Sequence, residues 1–210
     1  MTGRLGSGQV GTSHRAIMQE LRKDPRLGNE RATSFLTDSQ YLVRAYIDAY
    51  GFTIGITDCA PGDGKIRRII DRRITATQIV YNEILKQETR SAVEEEYKEK
   101  QLIATLSELA GAGKEIAEKE YTDQNAMKIM SKGIGSGAKG NASNINQLSA
   151  MIGQQFVFGE RPKKNVSGGT RVLCTFPSGD ESMEARGCIL NSFSSGLNPS
   201  EYFIHAMSSR

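Results

Sequence analysis

The stretch TATQIVYNEILKQETRSAVEEEYKEKQLIATLSELAGAG, residues 75–113, decides the fold of this chain. It lies in a charge-dense region without proline that extends from about residue 65 to residue 121. Apolar residues recur in it at helical spacing, in two sets on either side of an acidic run. The two sets are Ile79, Val80, Ile84 and Leu85, and then Leu102, Ile103, Leu106 and Leu109. The pattern predicts two long, exposed helices packed as an antiparallel hairpin.

Local signals mark the limits of these two helices. Residues 75–78 (TATQ) have the spacing of a capping box and predict a helix start, and Gly111 predicts the end of the second helix. The acidic run at residues 94–96 predicts a solvated helix face. A metal site is disfavoured there because three adjacent carboxylates on a helix point in different directions.

The segment before the hairpin predicts two helices and a strand. Ala16, Ile17 and Leu21 indicate a short helix that ends by the Asp24-Pro25 turn. A capping box at residues 37–40 starts a second helix, which runs to Tyr50 before Gly51. Residues 52–58 alternate apolar with small or polar side chains, which is typical of a half-buried strand, and the turn residues at 61–64 end it.

The segment after the hairpin predicts short elements separated by loops. The first three are a helix that Asp123 caps and that runs through Met130, a helix at residues 144–151, and a strand at residues 172–174. The last is a helix that begins at Asn198-Pro199, an N-cap followed by proline at the first helical position, with Glu201 in the first turn.

Composition excludes several classes of protein. The 210 residues carry 27 Lys and Arg against 24 Asp and Glu, and a formal net charge of +3 is too small to indicate nucleic-acid binding by itself. Cys59, Cys174 and Cys188 are odd in number and far apart, so they predict thiols in a reducing compartment and neither a disulfide framework nor a zinc site. No apolar run is long enough for a membrane span, and we expect an intracellular protein.

Two glycine-rich loops match the dinucleotide-binding pattern GxGxxG, at residues 6–11 and 135–140. Neither has the buried strand before it and the helix after it that such a site needs. Lys139 is followed by glycine, so the Ser or Thr hydroxyl of a P-loop is also missing. A flexible turn is the simpler interpretation of residues 133–140, with a functional loop as the alternative.

Amide side chains gather directly after the second glycine loop. Asn141, Asn144, Asn146 and Gln147 precede Gln154 and Gln155 on a segment with a narrow apolar stripe. Such a cluster suits a polar groove that binds backbone or ligand groups and does not suit acid-base chemistry. The sequence predicts no catalytic nucleophile and no carboxylate dyad.

Three runs, in order, resemble the largest subunit of multisubunit DNA-dependent RNA polymerases. GSGAKGNASNINQLSAMIGQQ, residues 135–155, is similar to the family pattern GSKGSxxNIxQMxxxxGQQ. EARGCILNSFSSGLNPSEYFIHAM, residues 184–207, is similar to SRGFVxNSYxxGLxPxEFFFHAM, and FLTDSQYLVRAYIDAYGFTIGITD, residues 35–58, is similar to the pore-domain segment that ends in GFSIGIGD. Together with the hairpin they cover nearly all of the chain, and the eukaryotic and large-DNA-virus branch fits best.

The resemblance implies an internal fragment with an α+β, mainly α fold: a helical hairpin flanked by small mixed α/β pieces. It implies four parts. They are the end of the pore domain (1–64), the funnel helical hairpin (65–132), a region of glycine-rich loop, amide-rich helix and small β structure (133–197), and the start of the bridge helix (198–210).

The resemblance also implies a role. The region lines the secondary channel through which nucleoside triphosphates reach the active site, and it supports the bridge helix and the trigger loop. The residues that match positions in the pocket behind the bridge helix, where the toxin amanitin binds, or on the approach to that helix, are Lys139, Asn144, Gln147, Gln154, Gln155, Arg186, Asn191 and His205.

The implied partners are the second-largest subunit and the other polymerase subunits, the DNA template and the RNA transcript through the whole complex, and a transcript-cleavage factor at the funnel. The chain has no NADFDGD-type aspartate triad, so we expect Mg²⁺ in the complete polymerase and no cofactor and no catalytic activity in this chain. Its compartment would be the nucleus in a cell, or the host cytoplasm or virion for a large DNA virus.

Two other functions would account for parts of the sequence. A stand-alone helical module that binds proteins or nucleic acid would explain the hairpin and the amide cluster, but it would not explain three motifs in the family's order. A nucleotide-binding enzyme built on the glycine loops would need strands that the sequence does not supply.

Overall fold

The computed structural model describes residues 9, 16–59, 65–111, 115, 119–122, 124–131 and 135–208. Within these ranges helices dominate, with one two-stranded sheet, so the predicted mainly helical α+β class is confirmed. Among the helices so described, none combines the length and the apolar character that crossing a bilayer requires.

The chain divides into two compact units. The first comprises Met1–Asp58 and Thr122–Asn141, and the second comprises Cys59–Tyr121 and Ala142–Arg210. The four-part division expected from the sequence stays a prediction.

The first unit contains helices α1 (Ile17–Arg22) and α2 (Gly28–Tyr50). Helix α2 ends at Gly51 as predicted, but it begins nine residues before the predicted capping box at residues 37–40, which lies inside the helix. The earlier start follows from the turn at Asp24, whose Oδ1 accepts hydrogen bonds from the N–H groups of Arg26 (3.0 Å) and Leu27 (3.2 Å). The chain therefore enters the helix at once.

One apolar face of α2 is exposed to solvent. Its side chains lie along a single stripe, and they include Leu36, Val43, Tyr46, Ile47 and Tyr50. Tyr46 and Tyr50 contact each other with ring centroids 4.9 Å apart. The helix thus has the amphipathic pattern predicted from the sequence while burying only Gly28 and Ala32.

The predicted strand at residues 52–58 is wrong, because this segment pairs with no strand among the described residues and ends in the short helix α3 (Ile56–Cys59). Asp58 explains the difference: its carboxylate accepts from the N–H of Gly55 (2.8 Å) and from the N–H of Ala126 (3.1 Å). Side-chain bonds of this kind compete with a strand ladder for the backbone. The turn residues at 61–64 lie outside the described residues.

A later helix of the first unit, which we label α6 (Ala126–Met130), is capped by Asn125. Its Oδ1 accepts from the N–H of Lys128 (3.0 Å), and its amide nitrogen donates to the carbonyl of Asp58 (3.1 Å). Asp123, the predicted cap, lies outside the described residues. The second of these bonds joins residues that are 67 apart in the sequence.

The second unit begins with the predicted hairpin, formed by α4 (Lys65–Leu85) and α5 (Ala92–Ala110). The helices are antiparallel, since Lys98 Nζ near the start of α5 donates to the carbonyl of Leu85 at the end of α4 (2.7 Å), while Arg73 pairs with Glu115 at the other end. The buried side chains of the two helices include Ile70, Tyr81, Ile84, Leu102, Leu106 and Leu109. The hairpin prediction is confirmed.

Two details of that prediction are wrong. The capping box at residues 75–78 lies inside α4, where Thr75 Oγ1 donates to the carbonyl of Asp71 (2.8 Å) in place of capping. Ile79 and Val80 are exposed, while Tyr81 is fully buried. Helix α5 ends before Gly111 as predicted, and its acidic run at residues 94–96 is solvent-exposed, so that prediction is confirmed.

The rest of the second unit surrounds a short antiparallel sheet. Helix α7 (Ala142–Ile145) continues into a π-helical segment (Asn146–Ala150), followed by β1 (Gly153–Gln154), β2 (Cys188–Ile189) and helix α8 (Pro199–Ser208). Gly153 lies opposite Ile189, and Gln154 opposite Cys188. The core here contains Ile152, Ile189 and Ile204, with Leu173, Phe176, Leu197 and Met207 packed against it.

Of two predictions for this region, one is wrong and one is confirmed. The strand expected at residues 172–174 is wrong, because the segment forms turns next to an isolated bridge between Val166 and Arg171. The last helix is confirmed: Asn198 Oδ1 accepts from the N–H of Glu201 (2.9 Å), and Glu201 Oε2 accepts from the N–H of Asn198 (3.0 Å). This reciprocal pair is a complete capping box.

Burial predicts that the thiols differ in reactivity. Cys188 is buried, which raises its pKa to about 12, while Cys174 is exposed. Because the thiolate is the reactive form, we expect Ellman's reagent at about pH 8 to modify Cys174 at least ~100-fold faster than Cys188 in the folded chain. The comparison uses Cys59→Ser/Cys174→Ser, which keeps only Cys188, and Cys59→Ser/Cys188→Ala, which keeps only Cys174. Equal rates in the two variants would contradict the burial of Cys188.

Candidate functional site

Gln155 and His205, which the family resemblance places in one pocket, are in contact in the second unit. Gln155 follows β1 directly, and its N–H donates to the carbonyl of Gly187 (2.9 Å) while its Nε2 donates to that of Gly153 (3.1 Å). Its Oε1 lies 3.1 Å from Nδ1 of His205 and accepts from the hydroxyl of Ser208 (2.8 Å). One side-chain amide thus joins the sheet to the last two turns of α8.

An aromatic side chain completes the environment of the histidine. Phe193 meets the ring of His205 edge-on, with centroids 5.7 Å apart and planes inclined by 68°. The N–H of Phe193 donates to the carbonyl of Gln147 (3.0 Å), which ties this loop to the π-helical segment. Gln147 therefore contributes through its backbone.

Gln154 and Arg186 are also brought together. The side-chain nitrogen of Gln154 donates to the carbonyl of Arg186 (2.9 Å) and to that of Gln155 (2.8 Å). Gln154 Oε1 and Arg186 Nε are buried without a hydrogen-bond partner among the described residues. The guanidinium of Arg186 lies 3.4 Å from a carboxylate oxygen of Glu181.

Asn191 anchors the first turn of α8. Its N–H and its side-chain amide donate to the two carboxylate oxygens of Glu201, at 3.3 and 2.9 Å. Its carbonyl accepts from the N–H of Ile152 (3.0 Å), just before β1. Glu201 is buried, and its carboxylate is satisfied by these two bonds and by a third from the N–H of Asn198. The N-x-x-E spacing at residues 198–201 was the signal for it in the sequence.

The remaining two predicted residues are Asn144 and Lys139. Asn144 is exposed on α7. Lys139 is exposed in the first unit, where its N–H donates to the carbonyl of Met130 (3.2 Å). The roles expected for all eight residues stay predictions.

A buried cation that the sequence did not reveal holds the hairpin to the loop after β1. The side chain of Arg161 is only 2% exposed and binds both carboxylate oxygens of Glu99 at 2.6 Å. Its Nη1 donates to the hydroxyl of Tyr81 (2.7 Å), which donates in turn to the carbonyl of Glu181 (3.0 Å). No local pattern could have shown this, since Arg161 and Glu99 are 62 residues apart.

The electrostatics of this cluster follow from pairing and burial. The hydrogen bonds from Arg161 hold the pKa of Glu99 below its usual range, whereas burial raises the pKa of Tyr81. A polar cavity of about 240 Å³ lies alongside, lined in part by Lys98, Glu99 and Arg161. Most of its charges are matched, because Glu99 is paired with Arg161, and Glu181 with Lys164 and Arg186.

Asn146 is a further buried polar residue with a structural role. Its amide nitrogen donates to the carbonyl of Met151 (2.8 Å), whose N–H donates to the carbonyl of Asn146 (2.8 Å). The two bonds close the end of the π-helical segment and set the direction in which the chain enters β1. The sequence had placed an ordinary helix at residues 144–151, so this detail is a correction.

The polar contacts of α8 are suited to recognition and positioning. The contacts at the start and end of α8 consist of amides, hydroxyls, backbone carbonyls, one histidine and one capped carboxylate. In the part of the chain that the structure describes, no three His, Cys, Asp or Glu side chains are grouped so that they could hold a metal ion.

Comparison with known proteins gives a consistent result. The family model described as "RNA polymerase Rpb1, domain 4" matches residues 78–189. The chain is 32% identical to DNA-directed RNA polymerase subunit Rpo1N of Halococcus morrhuae over 99% of its own length, and 35% identical to subunit Rpo1N of Thermococcus celer over 87%. It is 27% identical over 99% of its length to a putative DNA-directed RNA polymerase of Frog virus 3.

These relatives are longer proteins. The chain spans 59% of the Halococcus subunit, 20% of the Thermococcus subunit and 16% of the viral protein.

The close approach at Gly187 yields a prediction for two glycines. Both Gly187 (φ +97°) and Gly179 (φ +77°) are left-handed, but a Cβ on Gly187 would lie 2.7 Å from two ring carbons of Pro162, whereas Gly179 faces open space. Alanine strains the backbone at both sites, and only at Gly187 does it also clash. We expect Gly187→Ala to lower the free energy of unfolding in urea by about 2 kcal/mol more than Gly179→Ala does. Equal losses would show that the contact between Gly187 and Pro162 is looser than described.

Proposed function

This chain belongs to the RNA polymerase Rpb1, domain 4 family, and from that membership we propose that it forms the part of a polymerase largest subunit that lines the secondary channel. Nucleoside triphosphates would pass along it to reach the active site during DNA-templated RNA synthesis. Helix α8 would be the start of the bridge helix, which this region supports together with the trigger loop.

The observation that carries the proposal is the attachment of α8 to the amide-rich segment. Gln155 binds His205 and Ser208 near the end of the helix, and Asn191 binds Glu201 in its first turn. Both ends of the helix are therefore held by hydrogen bonds to the residues around the sheet. A wall that must keep a helix in register beside an active site needs this kind of support.

The helical hairpin supports a second part of the proposal, a docking surface for a transcript-cleavage factor. The acidic run at residues 94–96 is exposed on α5, and Lys100 pairs with Glu96 at 2.7 Å, with both side chains about 70% exposed. Exposed charges contribute little to folding stability but steer and select partners. The exposed face at the start of α5 is thus suited to recognition.

Catalysis itself would lie elsewhere in the complete polymerase. We propose that Mg²⁺ is bound by other parts of the enzyme, that the isolated chain is inactive, and that its partners are the second-largest subunit and the other polymerase subunits. The whole complex would bind the DNA template and the RNA transcript. The complex would work inside the cell, in the nucleus or, for a virus, in the host cytoplasm or virion.

The proposal is tested by purifying the tagged chain from its native source. We expect a second large polymerase subunit to co-purify, as shown by intact masses, and the preparation to incorporate labelled nucleotides on a DNA template, while the chain made alone does not. Recovery of a lone, inactive monomer from the native source would contradict the proposal and favour a stand-alone interaction module.

Variants of the purified complex test the role of the helix attachment. Gln155→Leu removes the acceptor of hydrogen bonds that contribute about 1 kcal/mol to holding α8 in place, so the rate of elongation should fall roughly fivefold. Ser200→Ala is the matched control, because Ser200 lies on the same helix but its hydroxyl bonds Thr175 at an exposed position. Unchanged elongation with Gln155→Leu would argue against a supporting role for this contact.

A further inference from the structure

We propose that Phe158, at the tip of a two-residue turn in the second unit, is an anchor that inserts into an apolar pocket on a neighbouring protein of the assembly. The partner would present a recess lined by aliphatic or aromatic side chains and wide enough for one phenyl ring. The inference deepens the proposed function, because the identity of that neighbour, another polymerase subunit, rests on it.

Phe158 lies in a turn that backbone hydrogen bonds close on both sides. Val157 and Glu160 form an antiparallel bridge, in which the N–H of Val157 donates to the carbonyl of Glu160 (2.8 Å) and the N–H of Glu160 donates to that of Val157 (3.3 Å). Phe158 and Gly159 between them both have positive φ, +53° and +84°. Two such residues are typical of a type I′ hairpin turn, so the backbone itself fixes the tip.

Phenylalanine is not the residue that this turn favours. The first position of a type I′ turn prefers Asn, Asp or Gly, because a bulky side chain at positive φ crowds the backbone. In the free chain Phe158 recovers none of that cost through burial, since it is 99% exposed. The phenyl ring therefore serves neither the turn nor the core, and such a strained, exposed aromatic residue is suited to burial against a partner.

The charges next to the turn favour a protein over a nucleic acid as that partner. An aromatic side chain that stacks on bases works beside exposed Lys and Arg side chains, which bind the phosphates. Three cations follow the turn, but the side chains of Arg161 and Lys164 are only 2% and 17% exposed. Lys163 is exposed and pairs with Glu160 at 2.6 Å. The exposed charge of residues 160–164 is thus balanced, which fits an apolar protein pocket.

The same ion pair supplies a polar rim beside the ring. Binding hot spots are often single aromatic side chains in desolvated pockets, surrounded by polar contacts that contribute little energy but exclude water. Phe158 with the exposed pair of Glu160 and Lys163 has this arrangement. Because two backbone bonds already close the turn, little conformational freedom is lost when the ring docks, and this preorganisation favours affinity.

Site-specific photocrosslinking in the complex purified from the native source tests the anchor. p-Benzoylphenylalanine replaces Phe158 in one variant of the tagged chain and Tyr97 in another. Tyr97 is the matched control, because it is an exposed aromatic residue on the regular helix α5. We expect position 158 to give a severalfold higher crosslinking yield than position 97, to apolar residues of one other polymerase subunit. Equal yields, or crosslinks to nucleic acid or to a second copy of the chain, would overturn the proposal.

Two asparagine variants separate docking from folding. Phe158→Asn removes the ring and supplies a residue that the turn prefers, and Ser167→Asn is its control, because Ser167 is exposed at φ +54° in the turn between Val166 and Arg171. We expect neither variant to lower the urea midpoint of the chain alone. Expressed beside the wild-type chain, Phe158→Asn should enter the complex about fivefold less than Ser167→Asn. Equal incorporation, or a lower urea midpoint for Phe158→Asn, would overturn the proposal.

Failure of the anchor and failure of the proposed function give different results. Recovery of polymerase subunits without a crosslink from position 158 would overturn the anchor and leave the proposed function standing. Recovery of no polymerase subunit would contradict the proposed function and, with it, the partner assigned to Phe158. The unfolding comparison needs no polymerase, so a destabilised Phe158→Asn would overturn the anchor in either case.

Discussion

The ion pair between Arg161 and Glu99 is the contact on which the arrangement of the second unit depends. Arg161 is almost completely buried, and a buried guanidinium is tolerated only when its donors are paired. Glu99 takes two of them and Tyr81 a third, so both helices of the hairpin contribute to holding one residue of the loop after β1. Removing Glu99 while the loop stays in place would leave an unpaired charge in a low-dielectric environment.

A series of contacts leads from this ion pair to α8. The residue after Arg161 is Pro162, which packs where a side chain on Gly187 would lie, and Gly187 receives the backbone N–H of Gln155. Gln155 in turn binds the last turns of α8, while Asn191 and Glu201 fix its first turn. The hairpin is therefore connected to α8 through a short series of polar contacts and a small apolar core.

Local signals in the sequence were sufficient for the hairpin and the last helix. Apolar periodicity set the hairpin, and the Asn-Pro start with Glu201 set α8, because both depend on residues close in sequence. Alternation predicts a strand at residues 52–58, but it does not record the hydrogen bond that the N–H of Ala126, 68 residues away, donates to the carboxylate of Asp58. The pairing of Arg161 with Glu99 was invisible for the same reason. For Gln155 and His205, the resemblance to a known family supplied what spacing could not.

A double-mutant cycle on Arg161 and Glu99 in the full chain tests the central claim most directly. Glu99→Leu leaves a buried, unpaired guanidinium and should lower the free energy of unfolding by about 3 kcal/mol. Arg161→Met should cost less, because the side chain of Glu99 is 37% exposed and regains water. If the pair joins the loop to the hairpin as described, the double variant should lose at least about 1.5 kcal/mol less than the sum of the two single losses. Additive losses, or single losses within about 0.5 kcal/mol of zero, would contradict the account.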